Sequence, residues 1–312
     1  MAQYAYVVTG TTASDIQDQI DIAHNTTTHT VTGGTVFLPG GTYTLDLPVE
    51  LYPNVRLQGV GSRTILKPSG GASLNNRNLI ELKGGEDSYL HDMEICDMVL
   101  FGPGNGDEIT DDVASNSYQG CGIIARGSIA KNIVVNNCRF ENLSGCGILV
   151  SNDSALPVSN IQIRRCVFFN NRRPSSESTL WAYNDIFLYG NSFEDIVIEN
   201  NSCTFVKGVG GIITAGSALG NASGIALYNP ISGSDGVAKN IIISGNTSSA
   251  HYRYGINPNF GRAAIDGGSM NNNSCDNNGS AGILLSVSST SVADPTVERT
   301  SICENYCNYN GF

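Results

Sequence analysis

A short motif recurs along this 312-residue chain and constrains its fold more than any other feature. The sequence Asn-Ile-Val-Val begins at Asn132, and related segments begin at Asn160, Asp195 and Asn240, which are 28, 35 and 45 residues apart. A looser copy begins at Asn272. Repeats of this length are typical of stacked architectures in which each repeat forms one supersecondary unit.

Each unit contains three short apolar segments, none of them long enough for a helix. In the first segment Ile133 and Val135 fall on one face, and Val134 and Asn136 fall on the other. This period of two is typical of a β-strand. Residues 138–140 and the Gly-Ile-Leu-Val segment that follows them predict two more strands. The sequence therefore predicts an all-β fold, a single-stranded parallel β-helix with three strands in each coil.

Stacked coils predict columns of inward side chains at equivalent repeat positions. One expected column contains Ile133, Ile161, Ile196 and Ile241, and a second contains Cys138, Cys166 and Cys203. The nine cysteines are interpreted as reduced core residues, because a chain of this length can build its own core without a disulfide framework. None has zinc-ligand spacing with a histidine nearby.

The first 70 residues differ from the repeats. Ile16, Ile20 and Ala23 have helical spacing, with Ser14 as the expected N-cap and Gln17 three residues later. Such a helix would cover the open end of the stack, where the first coil has unpaired strand edges.

The segments after this helix carry a family resemblance. Residues 33–43 have the sequence Gly-Gly-Thr-Val-Phe-Leu-Pro-Gly-Gly-Thr-Tyr, and residues 54–62 have Asn-Val-Arg-Leu-Gln-Gly-Val-Gly-Ser. This order resembles the N-terminal cap and first coils of the pectate-lyase-like superfamily of right-handed β-helices, which includes polysaccharide lyases, polygalacturonase-type hydrolases and phage tailspike depolymerases. The resemblance implies a right-handed coil along the whole chain, but the superfamily hosts many reactions. Residues 7–13 replace an acidic stretch that many relatives carry before the helix.

One structural domain is expected. Residues 1–70 form the cap and first coils, and residues 71–312 form further coils with long loops at 102–118, 170–185 and 215–239. The chain ends mid-coil, so another chain, a missing C-terminal portion or a symmetry mate is expected to cover that edge. The resemblance to tailspikes favours a homo-oligomer, specifically a trimer.

Composition and charge limit the partners. The net charge of −11 disfavours nucleic acid, and no apolar run is long enough to cross a membrane. No signal peptide is visible, and an extracellular or virion-associated location is predicted. No metal or cofactor is predicted, since the acidic loop lacks EF-hand spacing; calcium binding there stays an alternative. The carboxylates of that loop are Asp107, Glu108, Asp111 and Asp112.

Two outward columns are expected beside the Gly-Ile strands, if the Ile after Gly points inward. The first contains Ile124, Leu149, Phe187, Ile213, Asn257 and Leu284. The second contains Arg126, Ser151, Tyr189, Ala215, Asn259 and Ser286. The first column is apolar for a solvent face, which predicts that loops or another subunit cover it.

Polar and aromatic residues near this face suggest glycan chemistry. Two carboxylates flanking a glycosidic bond are the minimal set for hydrolysis, and the catalytic candidates are Asp153 and Asp185, with Glu177 and Glu194 in reserve. Aromatic rings stack on sugars and arginine binds carboxylates or hydroxyls. The predicted substrate-binding residues are Arg126, Arg164, Arg172, Arg173, Trp181, Tyr183 and Tyr189. A lyase would instead need a base and a cation that neutralises the uronate carboxylate, roles for which Arg126, Arg164 and Tyr189 are the candidates.

Three functional classes remain open. The favoured hypothesis is a polysaccharide-degrading enzyme, a hydrolase or less favourably a uronate lyase, acting in a surface groove. The alternatives are a glycan-binding adhesin and a structural virion or filament subunit. Tyr254, Gly255 and Pro258 resemble a motif of alginate C5-epimerases, but Asn257 and Asn259 replace its acid and histidine, so that activity is not inferred.

Overall fold

The computed structural model describes most of the chain, and the fold is built from that part. The described residues are 5–24, 33–70, 78–84, 89–102, 120–127, 129–152, 156–171, 184–205, 223–229, 236–251, 253–260, 264–287 and 297–310. Among these residues, no helix is long and apolar enough to cross a membrane.

Three parallel sheets run along the described part of the chain, so the fold is a parallel β-helix. Sheet 1 contains Ala5–Val7, Gly34–Phe37, Val55–Gln58, Leu90–Cys96, Ala130–Asn136, Val158–Arg164, Phe193–Glu199, Val237–Ser244, Ala264–Asn271 and Val297–Cys303. Sheet 2 contains Gly41–Leu45, Thr64–Pro68, Val99–Phe101, Arg139–Glu141, Val167–Phe169, Ser202–Thr204, Thr247–Ser249, Ser274–Asp276 and Tyr306–Asn308. Sheet 3 contains Val49–Leu51, Ile80–Leu82, Ile123–Gly127, Ile148–Asn152, Ile186–Gly190, Ser223–Tyr228, Tyr254–Asn259 and Ala281–Ile283. The predicted unit of three strands is confirmed.

Asparagines make the bends of the coil possible. In one coil Asn132, Asn137 and Asn142 have φ values of 54°, 52° and 55°. This left-handed region is unfavourable for most L-residues, and asparagine tolerates it because its short polar side chain bonds locally. The frequent asparagines of the repeat therefore mark where the chain turns.

The core lies between the three sheets and is built from stacked columns. Ile133, Ile161, Ile196 and Ile241 pair in register and are buried, as predicted. Each such side chain contributes about 1.5–3 kcal/mol through burial of apolar surface.

The predicted cysteine column is wrong in one member. Cys138 and Cys166 each follow a left-handed corner residue and stack on each other. Cys203 instead pairs with Phe168, in the column that continues to Ser248. The reason is spacing, because Cys203 lies three residues after its corner residue and not one. No disulfide joins any of the nine cysteines, all of which lie within the described ranges.

A helix, Ala13–His24, packs on the first coils, as expected for the cap. The predicted N-cap is corrected from Ser14 to Thr12. Thr12 Oγ1 accepts a hydrogen bond from Asp15 N at 3.3 Å, and Asp15 Oδ2 accepts one from Thr12 N at 2.8 Å. Gln17 does not serve the cap; its amide exchanges hydrogen bonds of 2.9 and 3.1 Å with the Glu50 backbone.

Buried asparagines form a ladder inside the coil. Asn201, Asn246, Asn273 and Asn305 occupy one position in successive coils, and each Nδ2 of the first three donates to the next Oδ1 at 2.9 to 3.0 Å. The same Nδ2 atoms also donate to backbone carbonyls of the preceding coil, as Asn246 does to Ile198 O at 2.9 Å. In the coil before Asn201 the same position is occupied by Cys166, whose backbone N donates to Asn201 Oδ1 at 2.9 Å.

One predicted loop contains a strand. Ser223–Tyr228, inside the expected loop 215–239, pairs with Ile186–Gly190 on one side and Tyr254–Asn259 on the other. It therefore supplies the sheet 3 strand of its coil. The parts of the three expected loops at residues 103–118, 172–183, 215–222 and 230–235 lie outside the described residues.

Candidate functional site: the outer face of sheet 3

The outer face of sheet 3 presents two columns of side chains. In Ile186–Gly190, Ile186 and Leu188 enter the core, so the intervening Phe187 and Tyr189 point outward. In-register pairing extends this alternation along the sheet. The first outer column contains Glu50, Glu81, Ile124, Leu149, Phe187, Ala226 and Asn257. The second outer column contains Arg126, Ser151, Tyr189, Tyr228 and Asn259.

The middle of the first outer column is apolar and buried. Ile124, Leu149, Phe187 and Ala226 form a hydrophobic cluster separate from the core, together with two cysteines of adjacent coils. This agrees with the predicted apolar column. One expected member of each outer column is corrected, however. Ala226 replaces Ile213 and Tyr228 replaces Ala215, because Ser223–Tyr228 is the strand paired at that level.

An aromatic group forms one end of this face. The Tyr189 and Tyr228 rings stack with centroids 6.0 Å apart and planes at 15°. Phe187 lies beside them, with its centroid 6.2 Å from that of Tyr189. Burial raises the pKa of the Tyr228 phenol, so its hydroxyl stays protonated at neutral pH and can donate a hydrogen bond.

A depression adjoins these rings. It is lined by Asn184, Phe187, Ala226, Leu227, Tyr228, Asn257 and Asn259. Asn257 is 7% exposed, and in the described part of the chain its Oδ1 has no hydrogen-bond donor. Rings beside amides can contact both the apolar faces and the hydroxyls of a sugar.

The opposite end of the first outer column is charged. Lys83 Nζ lies 2.7 Å from Glu81 Oε2 and 3.3 Å from Glu50 Oε1, so these two carboxylate oxygens are no more than about 6 Å apart. Tyr52 donates to Glu50 at 2.8 Å and Asn78 to Glu81 at 3.0 Å. Burial alone would raise the pKa of Glu81, but the hydrogen bonds from Lys83 and Asn78 outweigh it and hold the pKa below its usual value.

Sequence reasoning missed this carboxylate pair and also missed Tyr228. A signal for the pair was present, since Val49-Glu50-Leu51 and Ile80-Glu81-Leu82 share one apolar-Glu-apolar pattern. Tyr228 follows Ile225 by three residues, as Tyr189 follows Ile186. That shared offset could have identified Ser223–Tyr228 as the strand of its coil.

The structure separates the predicted site residues onto different faces. Arg126 and Tyr189 share the second outer column of sheet 3. Arg164 and Glu194 lie on the outer face of sheet 1, where Arg164 Nε is 3.4 Å from Glu199 Oε2 and Lys239 Nζ is 3.0 Å from Glu194 Oε1. These two residues therefore do not join Arg126 and Tyr189 in one site.

Asp185 lies inside the coil and not on the outer face. Its side chain is 1% exposed, and Asn171 Nδ2 donates to its Oδ1 at 3.2 Å. His251 Nε2 lies 3.8 Å from its Oδ2, and the same nitrogen is 3.2 Å from Cys203 O. This placement differs from the expected position beside a groove. The remaining predicted site residues lie outside the described residues: Asp153, Arg172, Arg173, Glu177, Trp181 and Tyr183.

Comparison with known proteins agrees with the fold. The family model described as "Right handed beta helix region" matches residues 75–223, just under half of the chain. Together with the three parallel sheets, this match makes the chain a right-handed parallel β-helix protein. The implied likeness to the pectate-lyase-like superfamily is thus confirmed for the fold. A search of curated protein sequences finds no significant match.

Solved structures are similar to this chain at low sequence identity. PfbA, a surface adhesin of Streptococcus pneumoniae, is 14% identical with a TM-score of 0.64, covering 97% of this chain and 72% of the adhesin. The A-module of the mannuronan C-5 epimerase AlgE4 of Azotobacter vinelandii is 17% identical with a TM-score of 0.49, covering 88% and 71%. An endo-xylogalacturonan hydrolase of Aspergillus tubingensis is 12% identical with a TM-score of 0.42, covering 99% and 92%.

Proposed function

We propose that this protein binds a polysaccharide along the outer face of sheet 3. The observation that carries the proposal is the stacked pair Tyr189 and Tyr228 beside a depression in which one amide oxygen has no donor among the described residues. Parallel strands are about 4.8 Å apart, so from Glu50 to Asn257 the face is roughly 29 Å long. That length suits several sugar units in a row. The adhesin with a TM-score of 0.64 supports only the fold.

A second candidate function is cleavage of the bound glycan. Glu50 and Glu81 are the observation that favours it, because their Lys83-bound oxygens lie within about 6 Å of each other. Retaining glycosidases hold their two carboxyl groups about 5 to 5.5 Å apart. One would protonate the leaving oxygen and the other would attack the sugar. This assignment moves the catalytic proposal from Asp185 and Glu194 to the charged end of the face. Asp153 and Glu177 keep their place as candidates.

The test is a panel of neutral and acidic polysaccharides assayed for binding and cleavage together. Retention of one glycan supports the binding function. New reducing ends would add hydrolysis, and absorbance of unsaturated uronates would instead indicate the lyase alternative. A protein that retains no member of a broad panel would contradict the proposal and favour a structural role. Repeating the assays with a chelator tests whether calcium is needed.

A paired variant locates the binding surface. Replacing both Tyr189 and Tyr228 by alanine removes the ring surface, and we expect affinity to fall about 100-fold, or about 2.7 kcal/mol. Tyr306→Ala, on sheet 2 and exposed, is the matched control and should bind normally. Equal losses in both variants would argue against a site on sheet 3.

Location and assembly remain part of the proposal. A glycan-binding β-helix would act extracellularly or on a virion, where polysaccharides are accessible. The homotrimer also remains a prediction, to be checked by measuring the mass of the particle in solution.

A further inference from the structure

Asn257 carries a further inference, which rests on the proposed glycan-binding function. Its side chain is more than nine-tenths buried and lines the depression. Its Oδ1 has no donor in the described part of the chain. A buried carbonyl oxygen without a donor destabilises a folded protein, so a native structure that keeps one calls for an explanation, such as a ligand that supplies the donor.

The neighbouring side chains define the shape around this oxygen. Ala226 lies between Phe187 and Asn257 in the first outer column, and its small side chain leaves room for the depression. Tyr228 supplies a ring wall and a phenol hydroxyl that can donate a hydrogen bond, and burial raises its pKa above the usual value. The depression therefore offers an apolar surface on one side. On the other side it offers Asn257 Oδ1, an acceptor that has no donor among the described residues.

The charges around the depression disfavour the binding of an anion. None of its described lining residues is charged. Lys83 lies at the far end of the face and is engaged by Glu50 and Glu81. Arg126 is three strands from Tyr228 in the second outer column, roughly 14 Å away at the usual strand spacing. The net charge of −11 adds repulsion, and Asn257 Oδ1, being an acceptor itself, cannot form a hydrogen bond with a carboxylate oxygen.

We propose that this depression binds one uncharged sugar unit, whose hydroxyl or acetamido N–H donates to Asn257 Oδ1, and that it selects uncharged glycans over uronate polymers. Selection follows because a uronate unit would place its carboxylate beside an acceptor. A site built to hydrogen-bond a donor discriminates strongly against a group that cannot supply one.

The first experiment compares hexamers that share a backbone and differ in charge. Mannan and mannuronan hexamers form one pair, and an N-acetylglucosamine hexamer is added as an uncharged acetamido probe. Binding to the wild-type protein is measured by calorimetry at low and high salt. We expect at least one uncharged hexamer to bind ten or more times tighter than mannuronan, with little salt dependence. This comparison needs no variant, so it stays decisive even if a variant fails to fold.

The second experiment replaces Asn257 by leucine, which has a similar size and no acceptor. We expect a higher melting temperature, because the unpartnered oxygen is gone, and about tenfold weaker binding of the uncharged hexamer. A residue with only a structural role would not move these two quantities in opposite directions. Gln162→Leu is the matched control, because Gln162 is a partly exposed amide on the outer face of sheet 1.

The outcomes separate this proposal from the function on which it rests. Tighter binding of mannuronan, lost in the Tyr189 and Tyr228 variant, would keep the glycan-binding function and overturn the selectivity. Unchanged binding by the Asn257→Leu variant would overturn the role of Asn257. Failure of every hexamer to bind, together with failure of the polysaccharide panel, would overturn both proposals.

Discussion

Two buried asparagines of this protein differ in how their polar atoms are satisfied. Asn246, inside the coil, accepts from the backbone N and the Nδ2 of Asn201 and donates to Ile198 O and Asn273 Oδ1. Asn257, on the outer face of sheet 3, is almost as buried, yet its Oδ1 has no donor among the described residues. The first arrangement stabilises the coil, and the second leaves an acceptor open to a ligand.

The outer faces of sheets 1 and 3 differ in a similar way. On sheet 1, charges pair from coil to coil, as Arg56 does with Glu94 at 3.5 Å and Lys239 with Glu194 at 3.0 Å. On sheet 3, the described side chains at the aromatic end are rings and amides, and among them Asn257 Oδ1 has no donor in the described part of the chain. A buried acceptor without a donor can be satisfied by a ligand, so the comparison favours sheet 3 for binding.

The largest effect is expected inside the coil. Asn246→Leu leaves the Asn201 backbone N–H and Ile198 O without their side-chain partners, and we expect a loss of about 3–5 kcal/mol in the free energy of unfolding. Denaturant titration measures it. Asn257→Leu is the matched control and should not be destabilised. A loss below about 1 kcal/mol would mean that the ladder is not a stabilising network.

The next effect concerns Asp185. Asp185→Ala removes one of the two acceptors of Asn171 Nδ2, the other being Phe140 O, and we expect a loss of about 1–3 kcal/mol in stability. Glycan affinity should stay within about twofold, because the side chain is buried inside the coil. Calorimetry with the best ligand of the panel checks this. Loss of cleavage in a variant that still binds and folds would restore Asp185 as a catalytic residue.

A smaller effect is expected where the ladder could be lengthened. Cys166 occupies the ladder position one coil before Asn201, and its Sγ already lies 3.8 Å from Val135 O. An asparagine there finds Val135 O and Asn201 Oδ1 as acceptors, so Cys166→Asn should change stability by less than about 1 kcal/mol. Phe168→Asn, in a column without a ladder, is the contrasting control and should be severely destabilised. Equal damage by both changes would contradict the ladder interpretation.

The smallest effect is expected at the charged end of sheet 3. The pKa of Glu81 is lowered in the folded protein, so its stabilising contribution is present above its unfolded pKa and disappears as pH falls through the folded value. Glu81→Gln should therefore cost about 0.5 kcal/mol at pH 7 and nothing near pH 3, as expected for a partly exposed ion pair. Denaturant titrations at the two pH values check this. A constant difference at both would indicate lost packing and not lost charge.

Much of the fold follows from the sequence because the repeat carries its own physical cause. The column from Ile133 to Ile241 and the corner asparagines obey alternation and left-handed tolerance, both local properties. Cys203 was misplaced because identical residues were aligned, and the distance from the corner residue was not counted. The correct distance places Asn201, not Cys203, at the position of Cys166.

The candidate site was harder to predict because it depends on which strands become neighbours. Residues 210–225 contain two Gly-Ile segments, and the sequence alone does not show which of them forms the sheet 3 strand. The strand pairing in the structure is what places Tyr228 beside Tyr189. Arg164 and Glu194 resembled site residues by type, but both lie on strands of sheet 1. Their side chains therefore project from a different face of the coil. Residue types were therefore enough to suggest a glycan as the ligand. Which residues share one face could be known only from the pairing of strands in three dimensions.

The in-register stacking of sheet 3 has a consequence for how such a protein can change. Each coil adds one side chain to each outer column at a fixed advance of about 4.8 Å, while the core columns simply gain another layer. Duplication or deletion of a single coil would therefore lengthen or shorten the binding face in equal steps. The length of the preferred ligand could then change in evolution with the number of coils, while the interior keeps the same packing.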